Sequence, residues 1–125
     1  MIIFPTSLGR HHYHGPVVYL EYYIGFDEES NKNCYINLLK IEEPLYRGRG
    51  LGKAVTKRFI REMFEDPQVV SIELMAAPLP VTGEKSTPEF LKGFYGSLGF
   101  KLKGCLDHMI LNREVLYPLE EQDAN

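Results

Sequence analysis

The stretch Tyr46-Arg47-Gly48-Arg49-Gly50-Leu51-Gly52-Lys53-Ala54 separates an apolar run, Tyr35 to Ile41, from a segment of helical period. A strand, a tight glycine turn carrying two arginines and a helix start together make an anion cradle. The first N–H groups of a helix lack partners, and the macrodipole places partial positive charge there. Glycines let the backbone close on a phosphate because no Cβ blocks the approach. The spacing decides which phosphate. A P-loop requires a glycine five residues before Gly52 and Ser or Thr after Lys53, where this chain has Arg47 and Ala54. The dinucleotide fingerprint G-x-G-x-x-G is also absent, since the glycines fall as G-x-G-x-G. A phosphorylated cofactor of another kind is expected.

The pattern that fits is R-x-x-G-x-G, here Arg47, Gly50 and Gly52. It resembles the pyrophosphate loop of the GNAT superfamily of acyl-CoA N-acyltransferases. Downstream, Phe94-Tyr95-Gly96-Ser97-Leu98-Gly99-Phe100 looks like the helix-to-strand junction of the same family, usually F-Y-x-x-L-G-F. Two motifs in the family's order are more specific than either alone, and the resemblance spans roughly residues 33–113. It implies acetyl-CoA as co-substrate, bound by Arg47, Gly48, Arg49, Gly50, Leu51, Gly52 and Lys53. It also implies a V-shaped splay between two strands, in which the pantetheine arm pairs with a strand edge, a form of β-augmentation. The first edge would run through Leu39, Lys40 and Ile41, and the second through Ile72 to Met75.

At 125 residues, 44% hydrophobic and 25% charged, the chain has apolar material for one core. One domain is expected over 1–125, with an irregular arm at 1–16 and a frayed acidic tail at 114–125. A net charge of −3 argues against a broad nucleic-acid surface, and the basic residues gather instead around Arg47 to Lys57. Cys34 and Cys105 are the two cysteines; without a secretion signal they read as reduced, buried thiols in a cytoplasmic protein. No run approaches the ~18 apolar residues of a membrane span.

Val17 to Phe26 alternates and is rich in β-branched and aromatic residues, so it predicts a strand. Asp27 to Asn33 reads as a turn and Tyr35 to Ile41 as the strand that returns from it. Gly52 to Phe64 places Ala54, Val55, Phe59, Ile60 and Met63 at a helical period, and Asp66-Pro67 stops that helix. Val69 to Met75 predicts a buried strand. Thr87-Pro88-Glu89 predicts a helix start, and Phe100 to Leu106 with His108 to Asn112 a closing hairpin. Strands alternating with helices indicate an α/β fold. With the resemblance, the expectation is a GNAT-like mixed, mostly antiparallel central sheet with helices packed on its faces.

Acyl transfer to an amine requires a neutral nucleophile, a stabilised oxyanion and a protonated leaving thiolate. The resemblance places Tyr95 where family members hold a general acid near the CoA sulfur; its plain role is an aromatic beside Phe94 and Phe100. Glu73 is an acid inside an apolar strand and must face a cavity or find a partner. Some protein N-terminal acetyltransferases of this family carry a base glutamate there, so Glu73 is the expected base, with Glu42 and Glu43 as competitors. Strand alternation equally allows Glu73 to face solvent. The run Arg10-His11-His12-Tyr13-His14 invites a metal reading, but adjacent histidines rarely converge on one ion, and a polar loop is the expectation.

The chain also departs from the family. Most members place helices between their first two strands, whereas only Met1 to Pro16 precedes the first clear strand here, without helical period. The acceptor side is then open, suiting a protein or peptide amine, or is completed by a second copy in a homodimer. Two functions follow: an acetyl-CoA-dependent N-acetyltransferase acting on a primary amine, or a reduced GNAT fold that binds acyl-CoA or a protein partner without turnover.

Overall fold

The computed structural model describes residues 3–15, 18–41, 51–76, 88–104 and 107–113. In chain order the elements are β1 (Gly9–His14), β2 (Val18–Phe26), β3 (Lys32–Ile41), α1 (Leu51–Glu65), β4 (Val69–Met75), α2 (Pro88–Gly96), β5 (Lys101–Leu102) and β6 (His108–Asn112). The strands form one six-stranded sheet in the order β1-β2-β3-β4-β6-β5. The pairs β1/β2, β2/β3 and β5/β6 are antiparallel, and the mixed sheet with its two helices has the expected α/β architecture. The contacts divide the chain into two compact units, Met1–Ile72 and Glu73–Asn125.

In the first unit, β2 alternates strictly over most of its length: Val18, Leu20, Tyr22 and Ile24 are buried, while Tyr19, Glu21 and Tyr23 face the other way. Cys34 and Ile36 of β3 are buried as well. Helix α1 brings Thr56, Phe59, Ile60 and Met63 to the core, a stripe at i, i+3, i+4 and i+7; Ala54, expected in it, is exposed. The Phe59 ring meets Phe4 at 5.2 Å and Tyr22 at 5.0 Å, both edge-on, a favoured aromatic geometry. Burial pushes the Cys34 thiol well above its usual range, which leaves it protonated and inert. Cys105 lies outside the described residues.

The stretch 1–16 is not the irregular arm that its composition predicts. Gly9–His14 is a strand, paired in register with β2 from Gly9↔Ile24 to His14↔Tyr19. Its inward positions are His11 and Tyr13, not aliphatic residues, which hid the alternation. The His11 ring stacks on Tyr22 at 5.0 Å, and Tyr13 meets Phe4 edge-on at 4.9 Å. The residues before β1 are also fixed. Phe4 is 1% exposed, and the Glu62 carboxylate accepts the N–H groups of Ile3 and Phe4 at 2.6 and 2.9 Å. Arg58 donates to the other oxygen of Glu62 at 2.9 Å.

Strand β3 starts at Lys32, three residues before the expected Tyr35, because polar side chains carry its first contacts. Lys32 Nζ donates to Asp66 Oδ2 at 2.9 Å and to the Thr6 carbonyl at 3.1 Å, and the Ser71 hydroxyl donates to Asn33 Oδ1. The preceding turn is closed by Asp27, whose Oδ1 accepts the N–H groups of Glu29 and Asn31. Farther along β3, Glu21 pairs with Leu38 and Tyr22 with Ile36, so Asn37 is the extra residue of a β-bulge.

Burial alone would raise the carboxyls of Glu62 and Asp66, but their hydrogen bonds outweigh it and hold both below the ordinary range. For Glu62 the donors are Phe4 N–H, Arg58 and Ile3 N–H; for Asp66 they are Lys32, Gln68 N–H and Thr6. A carboxyl depressed in the folded state contributes stability above its unfolded pKa and loses it as pH falls through the folded value. Unfolding free energy is therefore expected to decline from about pH 5 downward, and Glu62→Gln should flatten that slope in urea titrations at stepped pH. Phe4→Ala should cost about 3–5 kcal/mol in the same assay.

Candidate functional site

The helix entrance comes first. Leu51, Gly52 and Lys53 are the first three residues of α1, one residue earlier than the period suggests, and Lys53 is half-buried. Arg47, Gly48, Arg49 and Gly50, with the competing acids Glu42 and Glu43, lie outside the described residues. The charge layout of α1 is the reverse of the one that steadies a helix. No acid stands in the first turn and no base in the last, while Glu62 and Glu65 lie toward its C-terminal end. Acids at the N-terminus and bases at the C-terminus would offset the macrodipole. Here the positive end of the dipole is reinforced by Lys53.

On β3, Leu39 pairs with Leu20, Lys40 with Tyr19 and Ile41 with Val18. Leu39 and Lys40 are half-buried. The one-residue offset at Asn37 changes which residues face the core beyond it: Leu38 now lies opposite Glu21, and Leu39 opposite the buried Leu20.

In the second unit, Tyr95 belongs to a helix cap. Phe100 N–H donates to the Tyr95 carbonyl at 3.1 Å and Gly99 N–H to the Gly96 carbonyl at 3.0 Å. Gly99 has φ +101°. These 6→1 and 5→2 bonds around a positive-φ glycine form a Schellman motif. Its usual apolar contact between C3 and C″ is the Tyr95–Phe100 ring pair, at 5.7 Å. Phe94 also meets Tyr95 edge-on at 5.2 Å. Thus each of Tyr95, Gly99 and Phe100 has a structural reason to be what it is. Tyr95 is 7% exposed, and burial pushes its phenol up to about 12, so the hydroxyl keeps its proton at neutral pH.

Glu73 has found partners. Its Oε1 lies 2.7 Å from Lys103 Nζ and 3.2 Å from His108 Nε2, and its side chain is 19% exposed. The lone-carboxylate expectation is thereby answered by a cation and an imidazole. Sequence reading did not identify Lys103 or His108 as its neighbours. Their signal was the closing hairpin, in which His108 opens β6, the sheet neighbour of β4. Beside them, Asp107 accepts Lys92 Nζ at 2.7 Å through Oδ1, and its carbonyl accepts Ala76 N–H at 2.7 Å, which ties α2 and the end of β4 to the start of β6.

The histidines of β1 are likewise engaged. His12 Nδ1 lies 3.5 Å from Glu21 Oε1, Tyr19 donates to the same oxygen at 2.6 Å, and His14 meets Tyr19 edge-on. Among the described residues no group of three or more His, Cys, Asp or Glu is placed to hold a metal ion. No described helix is long and apolar enough to cross a membrane.

No known family model matches this sequence, and no curated protein matches it. Solved structures do. The KacTA–DNA complex superposes with a TM-score of 0.61 at 15% identity, over 90% of this chain and 70% of that one. Aminoglycoside acetyltransferase AAC(6')-Ib in complex with coenzyme A gives 0.61 at 20% identity, over 85% and 65%. The NatC complex bound to Gag peptide and CoA gives 0.57 at 20%, over 78% and 61%. The chain shares the GNAT fold with these structures, and it spans less than two thirds of the length of the last two.

The cap predicts a graded series. Tyr95→Phe should leave stability within about 1 kcal/mol, whereas Tyr95→Ala should cost about 3–5 kcal/mol. Gly99→Ala forces an L side chain into positive φ and should cost about 1–2 kcal/mol. Urea unfolding of the three variants checks the order.

Proposed function

We propose that this chain is an acetyl-CoA-dependent N-acetyltransferase acting on a primary amine by direct attack in a ternary complex. The observation that carries the reading is the start of α1 in a sheet of GNAT topology. The Arg47, Gly50, Gly52 spacing runs into a helix whose first turn holds Lys53 and no acid. Such an end favours an anion, and a CoA pyrophosphate is an anion of the right kind. Several structural neighbours were crystallised with CoA or acetyl-CoA, which supports the same co-substrate here.

In this reading Arg47 to Lys53 bind the pyrophosphate, and Leu39, Lys40 and Ile41 offer backbone groups to the pantetheine arm. Tyr95 gives its proton to the departing thiolate, a role suited to a phenol held protonated at neutral pH. Glu73 takes the proton that the acceptor ammonium must lose. The acceptor in this reading is a protein or peptide amine. A second reading is a GNAT fold that binds acyl-CoA or a protein partner without turnover.

Calorimetric titration of the folded protein with acetyl-CoA distinguishes the two. Binding should weaken by at least about 10-fold in Arg49→Glu and Gly50→Glu, since one charge contact to a phosphate contributes on the order of 1.5–3 kcal/mol. Tyr95→Phe should bind normally and turn over about 100-fold more slowly. A folded wild-type protein that binds no acetyl-CoA would leave partner binding as the function.

A further inference from the structure

The charges of this chain are unevenly placed. Residues 44–61 hold six of its 14 Lys and Arg residues and none of its 17 Asp and Glu residues. The remainder carries eight basic against 17 acidic side chains, a net −9. Arg47, Arg49 and Lys53 belong to the proposed pyrophosphate site. Lys57, Arg58 and Arg61 do not. At a rise of ~1.5 Å per residue, Lys57 stands about 6 Å and Arg61 about 12 Å beyond Lys53 along α1, whereas the pull of a helix N-terminus on an anion fades within the first turn.

All three are exposed. Residues three and four apart are neighbours on a helix surface, so Arg61 stands beside both Lys57 and Arg58. Lys53, Lys57 and Arg61 also make an i, i+4, i+8 row of one sign, which ends at Glu65. Like charges at this spacing destabilise a helix, so the row is held against its own repulsion by the packing on the other side of α1. Arg58 is tied through Nε to Glu62 at 2.9 Å. Among the described residues neither Lys57 nor Arg61 is in an ion pair.

We propose that the face of α1 carrying Lys57, Arg58 and Arg61 is a docking surface for a short acidic segment of a partner protein. The surface lies on one helix and does not depend on acyl transfer. The charge layout selects its occupant. Carboxylates on alternate residues of an extended peptide lie ~6.6 Å apart, close to the ~6 Å step of the basic row. A nucleic acid or an anionic membrane would extend past the row, onto a chain whose other residues total −9, and like charge repels it. The two aromatic residues of α1, Phe59 and Phe64, are buried, so the helix offers no ring on which a base could stack.

The test is fluorescence anisotropy of the full chain with a labelled peptide of four Glu-Ser repeats, at low ionic strength, where exposed charges are least screened. The peptide should bind saturably and more weakly as salt is raised. Lys57→Glu and Arg61→Glu each replace an attraction by a repulsion, and should weaken binding about 3-fold singly and about 10-fold together. Glu at either place interrupts the row of like charge, so both variants should melt no lower than the wild type, and their affinities are read on folded protein. Lys101→Glu makes the same charge change at an exposed site of the other unit and should leave binding nearly unchanged. An equal loss in Lys101→Glu overturns the inference, as does a peptide that fails to bind at low salt. So does a single-stranded oligothymidylate of equal charge that binds more tightly than the peptide and is lost in the same two variants, since the surface would then be one for nucleic acid.

Discussion

The fold hangs on how α1 is held. Its end charges oppose its own dipole, since the first turn lacks an acid and the last lacks a base. Charge placement of this sort costs a few tenths of a kcal/mol to about 1 kcal/mol at each end. What keeps the helix is packing: Phe59 inserted between Phe4 and Tyr22, with Ile60 and Met63 beside it, each almost fully excluded from water. Side chains of this size contribute about 1.5–3 kcal/mol each on burial, so the apolar stripe outweighs the electrostatic penalty. A helix secured along its length can leave its N-terminal charge uncompensated for a ligand to use.

The polar ties in the same unit follow from that packing. Glu62 sits on α1 at a place where it can accept two backbone N–H groups from the segment before β1, which brings Phe4 under Phe59. Asp66, just past the helix, reaches both Lys32 and Thr6. Each hydrogen bond to a charged carboxylate contributes about 1.5–3 kcal/mol net, on the scale of one of those buried side chains. These groups decide where the chain entering and leaving the helix must lie, since leaving any of them unpaired would be costly.

Legibility from sequence followed the chemistry of each segment. Strand β4 was readable to the residue because Val69 to Met75 is a short apolar run bounded by Asp66-Pro67 and a proline-rich stretch of sequence. The span of α1 was readable to within one residue at each end from its period and its stop. Strand β1 was not, because His11 and Tyr13 serve as its inward residues, and the start of β3 was missed because Lys32 and Asn33 act through tertiary hydrogen bonds that no local pattern reveals. The F-Y-x-x-L-G-F phrase was legible as a resemblance, and the structure gives it a local cause, since Tyr95, Gly99 and Phe100 are the fixed points of one cap. The company of Glu73 was beyond the sequence: Lys103 lies 30 residues away along the chain, and only the sheet order brings β6 beside β4.

The three-residue link between β1 and β2 bears on how the chain reaches its structure. Strands β1, β2 and β3 form a meander in which each strand pairs with the next across a short connection. Closing a short loop loses little chain entropy, and contacts of small sequence separation form quickly. The meander is therefore suited to assemble early. The crossover through α1 to β4 closes a longer loop and belongs to a later stage.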